Sequence, residues 1–395
     1  MSVQSGVFTG FPPADSRRWR PPERGCDPGL MTRSTVAGRT ANTETSAVVV
    51  DDSQFMRTVI ADMLEAEGIT VLGTASDGEA GVAAVLEHAP DVVTMDLKMP
   101  GMDGIEAVKR IMAERPTPVL VLSAHAADGA ELTFEAMEEG AVDFFEKPSG
   151  EVSVGLKRQR EALVSTVRSV ADADVSPTES VAAAGSAERR GTSRPETGYM
   201  NRPTLVVGSS TGGPTVVEEV LEALPIEADF RVLVVQHMPE GFTGRFAERL
   251  DAASDYAVRE ASDGDRIGGG EALVARGGKH LEVSGYGGGR LRVSLTEDAP
   301  VNNVRPAVDV TLETAAERID DPLSVAILTG MGTDGADGVR AVGAAGGTVV
   351  AQDEETSAVF GMPKRAIETG AVHDVRPRSE LVAGVLDTVA TEGSS

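Results

Sequence analysis

Two groups of residues in this chain have the types and spacing to do chemistry. In the first, Asp51-Asp52, Asp96, Ser123 and Lys147 each close or follow a short apolar run. Carboxylates gathered at strand ends repel one another, so at neutral pH they call for a cation. Hard oxygen ligands with open positions suit Mg2+. A lysine beside them adds a second positive partner. One aspartate then becomes a nucleophile toward a phosphoryl group, whose oxygens Ser123 can hydrogen-bond. In the second group, Gly208-Ser209-Ser210-Thr211-Gly212 follows the run Thr204-Leu205-Val206-Val207 and precedes a helix-like stretch over 215–224. That arrangement supports two chemistries: a phosphate cradle of backbone N–H groups at a helix start, or a serine held on a sharp turn as a nucleophile.

A serine needs a base, and the chain has five histidines to weigh. His88 falls late in a helical stretch, His125 lies beyond the run that carries Ser123, His280 is in a Gly-rich segment, and His373 is in a late strand-like one. His237 ends the strand-like run 232–236, and neighbouring parallel strands that end together would bring it near Ser210. Asp334, in Met331-Gly332-Thr333-Asp334-Gly335, follows another strand-like run and is the candidate orienting carboxylate. An aspartate beside glycine is also a common turn residue. The phosphate reading demands an acidic residue at the end of the next strand, where Gln236-His237 stands instead. The turn also lacks the G-x-G-x-x-G spacing, and no P-loop lysine follows. The order Ser210…His237…Asp334 differs from the Ser…Asp…His order of α/β-hydrolases, so G-x-S-x-G alone does not imply that fold.

The elements that must position these groups alternate in type. From 46 to 149, apolar runs at 47–50, 70–75, 91–95, 118–122 and 141–145 are separated by helical periodicity over 55–67, 78–88, 104–115 and 130–139. This alternation is the signature of a parallel, doubly wound sheet. A helix over 152–171 follows, then a Ser/Ala/Glu/Thr/Pro-rich stretch over 172–197 that reads as a flexible linker. The second block, 201–390, has strands ending at the Gly208 turn, at His237 and before Thr329, and a further strand over 348–351. Short β runs with many glycines over 256–298 read as hairpins inserted into the α/β layer. The fold expected is α/β, two doubly wound parallel-sheet domains: an N-terminal extension 1–45, domains at 46–165 and 201–390, and a linker 166–200.

Composition narrows the function classes. The net charge of −26, from 62 acidic and 36 basic residues, argues against non-specific nucleic-acid binding, which rests on basic surface. The acid is spread along the chain, as in a salt-adapted proteome. The single cysteine, Cys26, rules out an internal disulfide and a cysteine-only zinc site. No apolar run reaches the ~18 residues a spanning helix needs, so no membrane insertion is expected. Ser16-Arg17-Arg18-Trp19 is not followed by an apolar stretch, so it is not read as an export signal. The first 45 residues read as disordered, and Met31 is an alternative start.

The first block resembles a response-regulator receiver domain in Asp51-Asp52, Met95-Asp96-Leu97-Lys98-Met99-Pro100-Gly101-Met102-Asp103-Gly104, Leu122-Ser123-Ala124 and Lys147-Pro148. That resemblance implies a flavodoxin-like fold with Asp96 as phosphoacceptor. Asp51, Asp52 and Asp96 would form the Mg2+ pocket, Ser123 and Lys147 would contact the phosphoryl group, and Phe144 would be the switch aromatic. The second block resembles the chemotaxis protein-glutamate methylesterase family (CheB) in Gly208-Ser209-Ser210-Thr211-Gly212-Gly213, Gln236-His237-Met238-Pro239, Leu328–Gly335 and Val359-Phe360-Gly361-Met362-Pro363. The family motif commonly has Ala where Ser209 stands, and both spacing and motif choose Ser210. The resemblance implies a Rossmann-like catalytic domain with Ser210 as nucleophile, His237 as base and Asp334 as orienter, and no cofactor for the esterase step. Backbone N–H groups of Thr211 and Met331 would bind the oxyanion. It also implies demethylation of glutamate esters, and deamidation of glutamines, on methyl-accepting chemotaxis receptors in the cytoplasm. A histidine kinase would donate the phosphoryl group, and the unphosphorylated receiver would cover the esterase cleft. The reading from a different class is a phospho-regulated receptor-binding protein with an inactive esterase site.

Overall fold

The computed structural model describes residues 45–123, 127–147, 155–173, 175 and 198–391. The expected N-terminal extension through residue 44, with Cys26 and Met31, lies outside the described residues. So do His125 and residues 174 and 176–197 of the expected linker.

The first layer system is β1 (Ser46–Val50), α1 (Gln54–Glu65), β2 (Thr70–Ala75), α2 (Gly78–His88), β3 (Val92–Asp96), α3 (Gly104–Glu114), β4 (Val119–Ser123), α4 (Ala127–Glu138), β5 (Asp143–Glu146) and α5 (Gly155–Ala171). All pairings are parallel, in the order β2-β1-β3-β4-β5, the flavodoxin-like arrangement. β3 and β4 are buried at every position, which is why they read as unbroken apolar runs rather than alternating ones. Ser53, Asp77 and Asp103 cap α1, α2 and α3, accepting from the amides of Met56, Ala80 and Glu106. Every crossover therefore returns to the same rim, and Asp51, Asp96, Ser123 and Lys147 lie along it. α5 runs to Ala171, past the boundary expected at 165.

The second system comprises β6 (Gly198–Tyr199), β7 (Thr204–Ser209), α6 (Gly213–Ala223), β8 (Arg231–Gln236), α7 (Glu240–Ala253), β9 (Ala257–Glu260), β10 (Arg266–Ile267), β11 (Glu271–Val274), β12 (His280–Gly287) and β13 (Arg290–Thr296). It continues with α8 (Val308–Arg318), β14 (Leu323–Ile327), α9 (Ala336–Ala344), β15 (Thr348–Gln352), α10 (Met362–Glu368), β16 (Asp374–Arg376), α11 (Leu381–Asp387) and β17 (Ala390–Thr391). Its main sheet has seven strands in the order β16-β15-β14-β7-β8-β11-β9, all parallel. The chain starts at β7, builds outward through β8, then crosses back to β14. The switch point is thus between β7 and β14, where open α/β sheets bind ligands.

One expectation needs correction. The 256–298 region is not simply inserted hairpins. β9 and β11 extend the main sheet in parallel, while β12 and β13, with β10, form a separate antiparallel sheet. Strands as short as β9 and β11, at four residues each, give no periodicity that tells a parallel edge from a hairpin. The pair β6–β17 brackets the domain, starting before 201 and reaching Thr391.

The two systems pack directly against each other. Phe144 of β5 meets Phe242 of α7 with ring centroids 4.5 Å apart. Phe134 of α4 stacks on Phe246 of α7 at 5.7 Å. Arg249 of α7 pairs with Glu138 of α4 and lies 5.8 Å over the Phe134 ring. Ala358 packs against the apolar cluster beneath α5.

Candidate active site

β7 and β8 pair in register through Ser209 and Gln236, and the His237 amide donates to the Ser209 carbonyl at 3.0 Å. The next residue on each chain, Ser210 and His237, therefore emerges side by side. On the other flank, Ile327 of β14 pairs with Gly208, so the loop after β14 reaches the same place. Its Gly330 lies so close that a Cβ there would stand 2.8 Å from the Ser210 Cβ. The Ser210 amide donates to Thr329 O at 3.1 Å, and the Ser210 carbonyl accepts from Gln236 Nε2 at 2.8 Å. Ser210 is half-buried, whereas Ser209 is fully enclosed and donates its hydroxyl to Thr329 O. Gly213 is required below it, since a Cβ there would fall 2.0 Å from Ser209 Oγ. Ser209 is thereby a packing residue, and Ser210 is the more exposed of the two serines.

His237 Nε2 lies 2.7 Å from Asp334 Oδ2, with the histidine side chain 10% exposed and the aspartate 3%. Asp334 Oδ2 also accepts from the Val308 amide at 2.6 Å, and Oδ1 from the Asp309 amide at 3.2 Å and Asn302 Nδ2 at 3.1 Å. Asp334 thus sits on the first turn of α8, where the helix dipole favours an anion. Burial opposes its ionisation. The His237 hydrogen bond and charge, then the Val308 and Asn302 donors, overcome that cost and hold the carboxyl below its ordinary value. With Asp334 ionised, Nε2 carries the ring proton and donates it, leaving Nδ1 as the basic nitrogen.

Two family models match this chain, the response regulator receiver domain over 47–154 and the CheB methylesterase over 205–385. The protein-glutamate methylesterase/protein-glutamine glutaminase of Natronomonas pharaonis is 73% identical over 354 residues, 89% of this chain and 100% of that relative. The chain belongs to the CheB methylesterase family, with a receiver domain. The equivalent protein of Haloarcula marismortui is 60% identical over 88% of this chain and 98% of its own. Among solved structures, the CheB methylesterase catalytic domain of Thermotoga maritima is 42% identical, with a TM-score of 0.46, over 47% of this chain and 98% of that one.

In this family member the receiver rim is built around a lysine. Lys147 Nζ lies 2.8 Å from Asp51 Oδ2 and 2.7 Å from Asp96 Oδ2. Burial, then the Asp51 charge, pushes Asp96 up, while the Lys147 hydrogen bond and charge and the Lys98 amide hold it down; the net shift is upward. Burial disfavours the Lys147 ammonium, but hydrogen bonds to Asp51 and Asp96 outweigh it and raise its value. Oxygens of Asp51, Asp52 and Asp96 come within 4.8 Å of one another, an all-oxygen donor set that fits Mg2+. Ser123 is buried beside them and accepts from Thr133 Oγ1 at 3.0 Å. Phe144 is 8% exposed and covered by Phe134 and Phe242.

The receiver also touches the catalytic loops. Ser165 Oγ of α5 lies 3.5 Å from Met331 Sδ. The Asp143 carboxyl accepts from the Phe144 amide at 2.8 Å and from the Thr211 side chain, and burial pushes it up to about 7. Of the other histidines, His88 is exposed, His280 Nδ1 accepts from the Ala307 amide, and His373 Nδ1 accepts from the Val349 amide. The sequence reading missed Asn302, Asp309 and Asp143. Asn302-Asn303, both with positive φ, is a turn signal, but it says nothing of what the turn wraps.

Proposed function

We propose that Ser210 is the nucleophile, His237 the general base and acid, and Asp334 its orienting carboxylate, in hydrolysis of glutamate methyl esters on methyl-accepting chemotaxis receptors. Ser210 Oγ attacks the ester carbonyl while His237 Nδ1 takes its proton. The imidazolium that forms is stabilised by Asp334 through Nε2. The Thr211 and Met331 amides are the oxyanion donors in this reading. Collapse of the tetrahedral intermediate breaks the C–O bond, and His237 returns the proton to the leaving methanol. Water, deprotonated by His237, then cleaves the acyl-enzyme to glutamate and regenerates Ser210. A glutamine side chain follows the same route with ammonia as the leaving group.

Asp96 is the phosphoacceptor in the same reading, its phosphoryl group coming from a chemotaxis histidine kinase in the cytoplasm. Bound Mg2+, held by Asp51, Asp52 and Asp96, would neutralise phosphoryl oxygens; Lys147 and Ser123 contact the same oxygens. The docked receiver limits access to Ser210. The packing of Phe144 on Phe242 and of Ser165 on Met331 supports this. Among the described residues no helix is long and apolar enough to cross a membrane.

The His237–Asp334 contact, beside Ser210 at the β7–β14 switch point, carries the reading. The test is methanol release from methylated receptor membranes by a folded Ser210→Ala variant. Loss of release is expected, and full activity overturns the assignment.

A further inference from the structure

Asp334 is one of two buried carboxylates at this place, and a single amide nitrogen joins them. Asn302 Nδ2 donates one hydrogen to Asp334 Oδ1 at 3.1 Å and the other to Asp309 Oδ2 at 2.7 Å. Asp309 and Asp334 are each 3% exposed. Asp309 Oδ1 accepts from the Gly338 amide at 2.8 Å, in the first turn of α9, while Asp334 takes the first two amides of α8. Each carboxylate therefore caps the helix that the other's loop begins. Asn302 itself is on an exposed loop and holds φ +51°, a backbone conformation asparagine adopts more readily than most residues.

We propose that Asn302 and Asp309 are positioning residues of the esterase reaction, extending the triad to a chain His237–Asp334–Asn302–Asp309 that fixes the Asp334 rotamer and adds a second negative charge behind the imidazolium. The inference rests on the reading of Asp334 as the orienter of His237. A carboxylate bonded only to two amides and a histidine can rotate about its Cβ–Cγ bond. The Asn302 donor fills the Oδ1 side and leaves Oδ2 for the histidine. Asp309 keeps the asparagine from turning, because only its NH2 face can satisfy two carboxylates. Asp309 is pushed up to about 6, by burial first and by the Asp334 and Asp337 charges, against the Gly338 and Asn302 donors. The charged groups facing the pair are Asp334 itself, His237 across it, and Asp337 of α9, which pairs with Arg340. The His280 ring, under the same loop, is held by the Ala307 amide and Ala299 carbonyl.

The experiment is methanol release by the phosphorylated full chain, as kcat and KM across pH 5–9, for Asn302→Ala, Asp309→Asn and Ser210→Ala, normalised to the folded fraction from a thermal melt. Asn302→Ala is expected to lower kcat about 10- to 100-fold, the scale of losing an outer hydrogen-bond partner, with KM within about twofold, as for a group acting only on the transition state. Asp309→Asn is expected to lower kcat and to move the acid limb of kcat/KM to lower pH, because removing a negative charge makes the imidazolium harder to form. Wild-type kcat per folded molecule in Asn302→Ala, or an unmoved acid limb in Asp309→Asn, overturns the inference, as does a change confined to KM. If Ser210→Ala remains active, the catalytic assignment itself falls. If Ser210→Ala is inactive while Asn302→Ala matches wild type, only the present inference does.

Discussion

Arg249 offers the sharpest measure of how firmly the receiver rests on the catalytic domain. Its guanidinium pairs across the interface with Glu138, whose side chain is 56% exposed, and lies over the Phe134 ring at 5.8 Å. Its bond to Glu218 stays within the catalytic domain and does not enter the docking equilibrium. An exposed ion pair contributes about 0.2–1 kcal/mol, and an exposed cation–π contact about 0.5–1 kcal/mol. Arg249→Ala should therefore weaken docking by about 0.7–2 kcal/mol, which multiplies the undocked population about 3- to 30-fold at 1.36 kcal/mol per factor of ten. If only the undocked form admits receptor, methanol release without phosphodonor rises by that factor, up to the ceiling set by the phosphorylated enzyme. Glu138→Gln removes the ion pair alone and should give about 5-fold or less. High salt should shrink the Glu138→Gln effect, since an exposed pair is screened. Basal release unchanged in Arg249→Ala, with phosphorylated activity also unchanged, would refute the docking argument.

Asp143 makes basal activity depend on pH in a calculable direction. Its carboxyl is raised from 3.8 to about 7 in the packed interface. The docked state thus binds the extra proton, docking is strongest below about pH 4, and it weakens as pH rises to about 7 and then levels off. The ratio of wild-type to Asp143→Asn basal activity should climb over that window; a flat ratio would sink the idea. In the receiver, Asp96→Asn should abolish activation by kinase or a small phosphodonor, measured as the ratio of stimulated to basal methanol release, and chelation of divalent metal should do the same to wild type. A stimulated response in Asp96→Asn would remove that residue as the phosphoacceptor.

Much of the site was legible because it is written at strand ends. Val48–Val50, Met95 and Leu122 are buried apolar residues, and the first polar residue after each run falls on the sheet's C-terminal rim. Ser210 and His237 are legible for the same reason, as each follows a strand by one residue. Asp334 is harder to read, because six residues separate it from the end of β14. Its place after a strand-like run made it a candidate, but an aspartate beside glycine is also a common turn residue, and the match of the turn Met331–Gly335 to a family motif separated the two. The 256–298 region was misread because β9 and β11 pair in parallel with strands that their local sequence does not name.

The sequence by itself determined which residues could react: the acid–lysine group of the receiver, and a serine, a histidine and an aspartate at separate turns. Those choices depend on residue type and on local punctuation, which the chain carries at each position. Only the tertiary structure decided their surroundings. Asp334 gains its donors from Asn302, Val308 and Asp309, 25 to 32 residues upstream, because β14 returns beside β7 and brings α8 with it. Asp143 meets Thr211 only because β5 packs against the catalytic domain. A hydrogen bond between distant loops is set by which strands are neighbours. That choice belongs to the packing of the whole core, and no short stretch of sequence records it.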